Sequence, residues 1–536
     1  MINRAVKTFA AAVLLLAGGT AGCTDLTTYP KDRVAGGNIF NEPGAYKSFL
    51  AKLYAGLAVT GMRGEGGAGE GDVGGIDEGF SQYVRQWWQL QELPTDEAVI
   101  AWEDKDLPEM NSQEWGTANQ FIQAMYYRIF FQVALANEFL RETTDAKLSE
   151  RNESAQVRAE VAQYRAEARF LRALSYWHAI DLFGSVPFVV ETDNLGANAP
   201  PQRSRAEVFQ FIESELNEVR TQLPAAGANQ YGRASQAAAD MVLAKLYLNA
   251  QVYTGTARWT EAAQAAERVI ASGKFQLDDR YQDIFLADNH TSPEMIFAVP
   301  FDGRNTRTYG GTTFLIHASV GNQMNASDYG IDGGWWGLRA KPQLVAKFPG
   351  GAASADRRAA IFYTNGQSLN ISAVKAFEQG YTAPKFRNVT STGARGSDAA
   401  FTDTDFPMFR LADAYLMYAE AVLRGGGGNA GTALNYVNLI RRRAYGNTSG
   451  DITAAQLTLD FILDERAREL FWEAHRRTDL VRYGRFTGGS YIWAFKGSRT
   501  TAAGTATPET RNLYPIPASD LATNPNLKQN PGYTGG

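Results

Sequence analysis

At 536 residues the chain has room for two or three domains, and its 44% hydrophobic and 20% charged residues are those of an ordinary globular protein. A net charge of -5 removes the basic excess that nucleic-acid binding needs. A lone cysteine excludes an internal disulfide, and four scattered histidines show no metal-ligand spacing.

That cysteine is Cys23, and the residues before it read as a targeting segment. Arg4 and Lys7 make a positive start, Phe9 to Gly18 a short apolar stretch, and Thr20-Ala21-Gly22 place small residues directly before Cys23. This is the pattern lipoprotein signal peptidase reads. Residues 1–22 are expected to be removed and Cys23 to carry a diacylglyceryl group. No later apolar run reaches the roughly 18 residues a membrane span needs. Acyl chains, at about 0.8 kcal/mol per buried methylene, are therefore the expected anchor.

Gly61 to Gly75 reads as a low-complexity loop. Its Gly64-Glu65-Gly66-Gly67-Ala68-Gly69 imitates a dinucleotide fingerprint, but no strand precedes it, and Glu65, Glu70 and Asp72 would repel phosphate. No cofactor is expected. Helical spacing then takes over. Gln120 to Arg141 carries Phe121, Met125, Ile129, Val133 and Phe139 on a stripe, and Val157 to Phe183 carries two apolar stripes before Gly184 and Pro187 stop it. A further helix covers Ala206 to Leu223. Another ends near Leu248, and the next holds Trp259, Ala262, Ala263, Ala266 and Ile270, with Thr260 as the expected N-cap. Small residues at facing positions let such a pair approach closely, as tetratricopeptide units do.

From Ser292 to Phe409 short apolar runs such as Met295 to Val299 sit among Gly, Asn, Asp and Thr, which predicts irregular structure with a few short strands. Helix returns over Pro407 to Leu423, Ala430 to Ala444 and Ala455 to Arg482. Glu465, Arg466, Arg468, Glu469 and Glu473 form a mixed-sign array on the last of these, expected to be a structural ion-pair network reaching Arg441 and Asp479. The sum is one mainly α domain over 23–536. It has a helical part over about 40–290, a loop-rich insert over about 291–405, and C-terminal helices and tail over about 406–536.

Five phrases in order carry a family resemblance. They are Phe170-Leu171-Arg172-Ala173 with Phe183-Gly184-Ser185-Val186-Pro187; Asp405-Phe406-Pro407-Met408-Phe409-Arg410-Leu411-Ala412-Asp413 with Ala419-Glu420-Ala421; Val437-Asn438-Leu439-Ile440-Arg441; Ile462 to Leu470 with Asp479-Leu480-Val481-Arg482-Tyr483-Gly484; and the tail Tyr514-Pro515-Ile516-Pro517, Asn524-Pro525 and Gln529-Asn530-Pro531-Gly532-Tyr533. Behind a lipobox, nearly the whole mature chain resembles the SusD/RagB family of outer-membrane nutrient-binding lipoproteins. The resemblance implies a SusD-like fold of tetratricopeptide-like helical pairs with a variable, loop-rich ligand-binding part. It also implies oligosaccharide capture at the cell surface and delivery to a SusC-like TonB-dependent transporter, without catalysis.

Binding a sugar needs flat apolar rings for its C–H faces and amide, carboxylate or guanidinium groups for its hydroxyls. Two segments outside clear helices offer both. The first holds Trp87, Trp88, Thr95, Asp96, Glu97, Trp102, Asp104 and Asp106. The second holds Asn325, Asp328, Tyr329, Asp332, Trp335, Trp336 and Arg339. The expected ligand-binding residues are Trp102, Trp335, Trp336, Tyr329, Asp328, Arg339 and Trp88. In each adjacent tryptophan pair one ring is expected to pack inward. Trp115, His178 and His475 are assigned structural places. Asp403 and Asp405 read as exposed polar groups or weak calcium ligands. No Gly-x-Ser-x-Gly elbow occurs. A glycosidase carboxylate pair is defined by separation in space, so a surface hydrolase stays open, as does a tetratricopeptide scaffold that binds only protein.

Overall fold

Side-chain caps set where several helices begin. Gln82, Asn119, Ser154, Ser204, Asn429 and Thr458 each accept a bond from a first-turn backbone N–H, which satisfies a donor the helix itself leaves unpaired. The computed structural model describes residues 40, 42, 44–61, 71–194, 196 and 199–534. Cys23 and most of the Gly61–Gly75 stretch lie outside the described residues. The chain divides into a short unit, Met1–Ser48, and a body, Phe49–Gly536.

The main helices of the body are α1 (Tyr83–Glu92), α2 (Gln120–Glu142), α3 (Ala155–Phe183), α4 (Arg205–Arg220), α5 (Gln236–Leu248), α6 (Trp259–Ala271), α7 (Gly311–Ala318), α8 (Leu411–Leu423), α9 (Ala430–Tyr445), α10 (Leu459–Leu470) and α11 (Arg476–Arg482). From α1 to α6 each packs on the next in the series; α6 then meets α8, which meets α9 and α10, while α7 and α11 pack on α1. Small side chains make the α5–α6 contact close: Ala237, Ala238, Ala244, Ala262, Ala265 and Ala266 are all buried. Thr260 lies inside α6, whose N-cap position is Arg258. The C-terminal tail straps the helices. Asn530 Nδ2 donates to Phe183 O at 2.8 Å, and the Tyr514 hydroxyl to Leu90 O at 2.7 Å.

Among the described residues the strands pair as three antiparallel ribbons; Val186–Pro187 with Gln202–Arg203 is the smallest, and the other two position the site. β1 (Ala98–Ile100) pairs with β3 (Leu338–Ala340), and β2 (Met295–Val299) with β4 (Phe406–Arg410). Residues 407–410 are thus strand rather than the start of a helix. All five residues of β4 are buried, and Arg410 at its end is drawn into a charge cluster, so tertiary pairing overrides local helical spacing.

The expected helix over Ala455–Arg482 is broken between α10 and α11. Trp472 and Ala474 both take φ of 62°, a region bulky residues rarely adopt. Buried carboxylates take up the amides of the break: Trp472 N donates to Glu97 at 3.2 Å and His475 N to Glu92 at 3.1 Å.

The charge array on α10 is a buried network. Glu465 meets Arg358, Arg441 and Arg468 at 2.7–2.9 Å. Arg466 bridges Asp413 and Asp479 at 2.8 and 2.7 Å. Arg410 joins Glu294, Glu469 and Glu473 at 2.6–2.7 Å, and Lys385 reaches Glu473 at 2.7 Å. Desolvation cancels much of the attraction in such clusters, but removing one partner strands the others.

Candidate functional site

The β1–β3 ladder decides where the site forms. Ala98, Val99 and Ile100 stand opposite Ala340, Arg339 and Leu338, and Ala101 N extends the pairing to Gly337 O at 2.9 Å. Trp102 and Trp335, 233 positions apart, are thereby brought together. Trp102 Nε1 donates to Trp335 O at 2.8 Å, and the two rings lie 6.3 Å apart. Gly337 permits this approach, since a Cβ there would sit 2.9 Å from the Trp102 ring.

Helix α7 braces both rings. Phe314 meets Trp102 edge-on at 5.8 Å, and His317 stacks on Trp335 at 4.5 Å and 23°. The His317 Nδ1–H donates to Gly333 O at 2.7 Å, which fixes the tautomer, and burial lowers the imidazole's pKa, so the ring is neutral. Tyr309 extends the row, 6.2 Å from Trp335 and 5.3 Å from Phe401.

Arg85 of α1 ties these pieces together. Its Nη1 donates to Gly79 O at 3.1 Å and Tyr309 O at 3.0 Å, and the guanidinium lies 4.4 Å from the Phe314 ring. Burial lowers its pKa to about 10, against the pull of Asp104 and Asp77, so it stays cationic at neutral pH. Its Nε has no partner among the described residues. Trp102, Trp335, Tyr309 and Arg85, with Asp104 and Gln120, line a cleft of about 540 Å³. Three partly exposed aromatic rings beside charged and amide groups can take the C–H faces and hydroxyls of a sugar.

Of the residues expected to bind ligand, Trp102 and Trp335 line this cleft. Trp88 does not: it is buried in α1, its Nε1 donating to Trp472 O at 2.9 Å. Trp87 is buried too, stacked on His178 at 3.8 Å, so both rings of that pair pack inward because α1 is enclosed on all sides. Arg339 is fully buried in β3 and bonds the carbonyls of Val374, Ala376 and Gln379. The Tyr329 ring is buried with the Arg387 guanidinium 5.2 Å away; Asp328 is exposed and accepts from Asn325 Nδ2 at 3.1 Å. Neither lines the cleft. Trp336 is exposed but packs on Phe377, outside the cleft.

Thr95, Asp96 and Glu97 are buried as well. Although desolvation opposes it, the Arg476 guanidinium, bonded twice at 2.7 Å, holds the Asp96 carboxyl down at about 2. Asp403 and Asp405 stitch loops, Asp405 buried and Asp403 half-buried. Asp405 accepts from Phe301 N and the Tyr231 hydroxyl at 2.7 Å, and Asp403 from Gly303 N at 2.8 Å. Among the described residues no group of three or more His, Cys, Asp or Glu could hold a metal ion. No helix among them is long and apolar enough to cross a membrane. Sequence reasoning missed Tyr309 and Arg85. An aromatic before Gly310-Gly311 in a polar stretch was a usable signal for the first; Arg85 gave none.

Solved structures share the fold. A SusD homolog from Bacteroides thetaiotaomicron superposes with a TM-score of 0.73 at 20% identity, covering 94% of this chain and 99% of that one. Surface glycan-binding protein A from the same organism, solved with laminarihexaose, gives 0.69 at 19% identity, over 91% and 99%. Residues 359–533 match the SusD family model, and residues 81–248 match a model described as starch-binding, associating with the outer membrane. Among curated proteins, a SusD-like protein of Bacteroides ovatus is 27% identical over 69% of this chain and 68% of its own. The starch-binding protein SusD of Bacteroides thetaiotaomicron is 34% identical over 98% of both chains. With identity sustained along virtually its whole length, the chain belongs to the SusD family.

Proposed function

We propose that this protein is a lipid-anchored receptor at the outer membrane that binds α-glucan oligosaccharides without cleaving them and passes them to a SusC-like TonB-dependent transporter. The observation that carries the reading is the row Trp102, Trp335 and Tyr309, braced by Arg85 and α7 beside Asp104 and Gln120. Rings fixed before the ligand arrives lose little freedom on binding, so modest contacts suffice. The α-glucan assignment is supported by the 34% identical starch-binding relative. The absence of cleavage is supported by relatives described as binding proteins. Anchoring rests on Cys23 following Thr20-Ala21-Gly22.

Calorimetric titration of the purified protein with maltoheptaose, followed by chromatography of the sugar, tests the reading. Saturable binding with intact ligand is expected. Release of shorter sugars would make the protein a hydrolase, and silence toward both maltoheptaose and laminarihexaose would remove the glucan assignment.

A further inference from the structure

Trp336 is the most exposed large hydrophobic side chain among the described residues, at 51%. Its φ is 56°, a left-handed conformation that bulky residues rarely adopt. Three main-chain bonds impose it: Trp335 N to His317 O at 2.7 Å, Trp336 N to Val320 O at 3.1 Å, and Gly337 N to Ala318 O at 2.9 Å. The result separates two consecutive rings. Trp335 turns into the cleft against His317, while Trp336 lies on Phe377 with ring centroids 5.7 Å apart.

The support beneath Trp336 is rigid. Gly321 makes room for it, since a Cβ there would sit 2.8 Å from both the Trp336 and Phe377 rings. Phe377 is buried, and its loop is stapled by Arg339 to Gln379 O at 2.8 Å and to the carbonyls of Val374 and Ala376. The Gln379 side chain accepts from Ser372 N and Ala373 N, both at 2.8 Å. Arg339 is thus a positioning residue. Asn322 and Gln323, directly after Gly321, add amides, with Asn322 Nδ2 held on Gly366 O at 3.0 Å.

A strained, exposed indole fixed from below offers a sugar ring the same flat apolar face as the indoles of the cleft. Because Trp335 and Trp336 are neighbours in the chain, their rings are separated by no more than the reach of two side chains. We propose that Trp336 is a second sugar-stacking platform, which engages the part of a long glucan chain that extends beyond the cleft. The proposal rests on the glycan reading of the cleft.

Titrations of Trp336→Ala, Trp336→Phe and Trp102→Ala with maltotriose and maltoheptaose test it in the full-length protein. Trp336→Ala is expected to weaken maltoheptaose roughly three- to ten-fold, to leave maltotriose unchanged, and to keep the wild-type melting temperature. Trp336→Phe should recover most of the loss. If Trp336→Ala binds maltoheptaose like wild type while Trp102→Ala does not, the platform is refuted and the cleft stands. Equal weakening for both sugars would place Trp336 in the first site and refute a separate platform. Failure of the wild type to bind maltoheptaose or laminarihexaose would overturn both readings together.

Discussion

Replacing Trp102 with Ala separates what its ring does for ligand from what its N–H does for the fold. The ring is one of three facing the cleft, and aromatic stacking is worth about 0.5–1.5 kcal/mol, or roughly a two- to twelve-fold change in Kd. The Nε1–H bond to Trp335 O, at 2.8 Å, fixes the loop that carries the second ring. Its loss costs about 0.5–1.5 kcal/mol of stability. Some of that cost returns as weaker binding, because a loosened Trp335 must be ordered by the ligand. Trp102→Ala should therefore weaken maltoheptaose by roughly ten-fold and also lower the melting temperature. Trp102→Phe keeps a ring but not the donor, so it should show most of the stability loss and less than half of the binding loss. Isothermal titration paired with differential scanning calorimetry reads both. Wild-type affinity in Trp102→Ala, or equal binding loss in the two variants, would refute the reasoning.

Arg410→Met removes the cation joining Glu294, Glu469 and Glu473 in the buried network, and urea denaturation should show a loss of about 3–5 kcal/mol. Burial pushes Glu97 up from an ordinary 4.5 to about 7, so the folded state holds a proton that the unfolded chain releases. That contribution is complete below the unfolded value and is lost as pH rises through the folded one. Glu97→Gln, permanently neutral, should gain stability relative to wild type between about pH 5 and about pH 8, and a flat difference across thermal melts in that range would refute the assignment. Cys23→Ser should move the protein from the membrane fraction to the soluble fraction of fractionated cells, read by immunoblot.

What the sequence disclosed follows from the range over which each feature is specified. Helices α2 to α6 were legible because helical spacing is local, and Gly184 ends α3 as its sequence predicts, although the N-cap of α6 falls at Arg258 and not at Thr260. The break at Phe471–His475 was not, because carboxylates more than 370 positions away take up its amides. The α10 charges announced a network, but Glu294, Arg358, Lys385 and Arg410 come from outside α10 and carry no pattern that names them as partners. Within the site, Trp102 and Trp335 stood out as indoles in polar loops. Arg339 looked equally suited to a ligand. Its inward direction is set by the β1–β3 register, which short strands far apart in the chain do not reveal.

The same register links the buried charges to the aromatic row. Glu97, which accepts from Trp472 N, directly precedes β1, and Trp102 follows two residues after its end. Asp96 alongside it is clamped by Arg476. The start of β1 is therefore nailed to the α10–α11 break, and its far end delivers an indole to Trp335. Exposed loops usually carry the mobility that a weak-contact binder must restrict at the expense of affinity. Here the restriction is made in advance, by the buried carboxyl and guanidinium groups of Asp96, Glu97 and Arg476. Asp96 and Glu97, which have the composition of binding residues, are buried and hold the strand that carries the Trp102 ring.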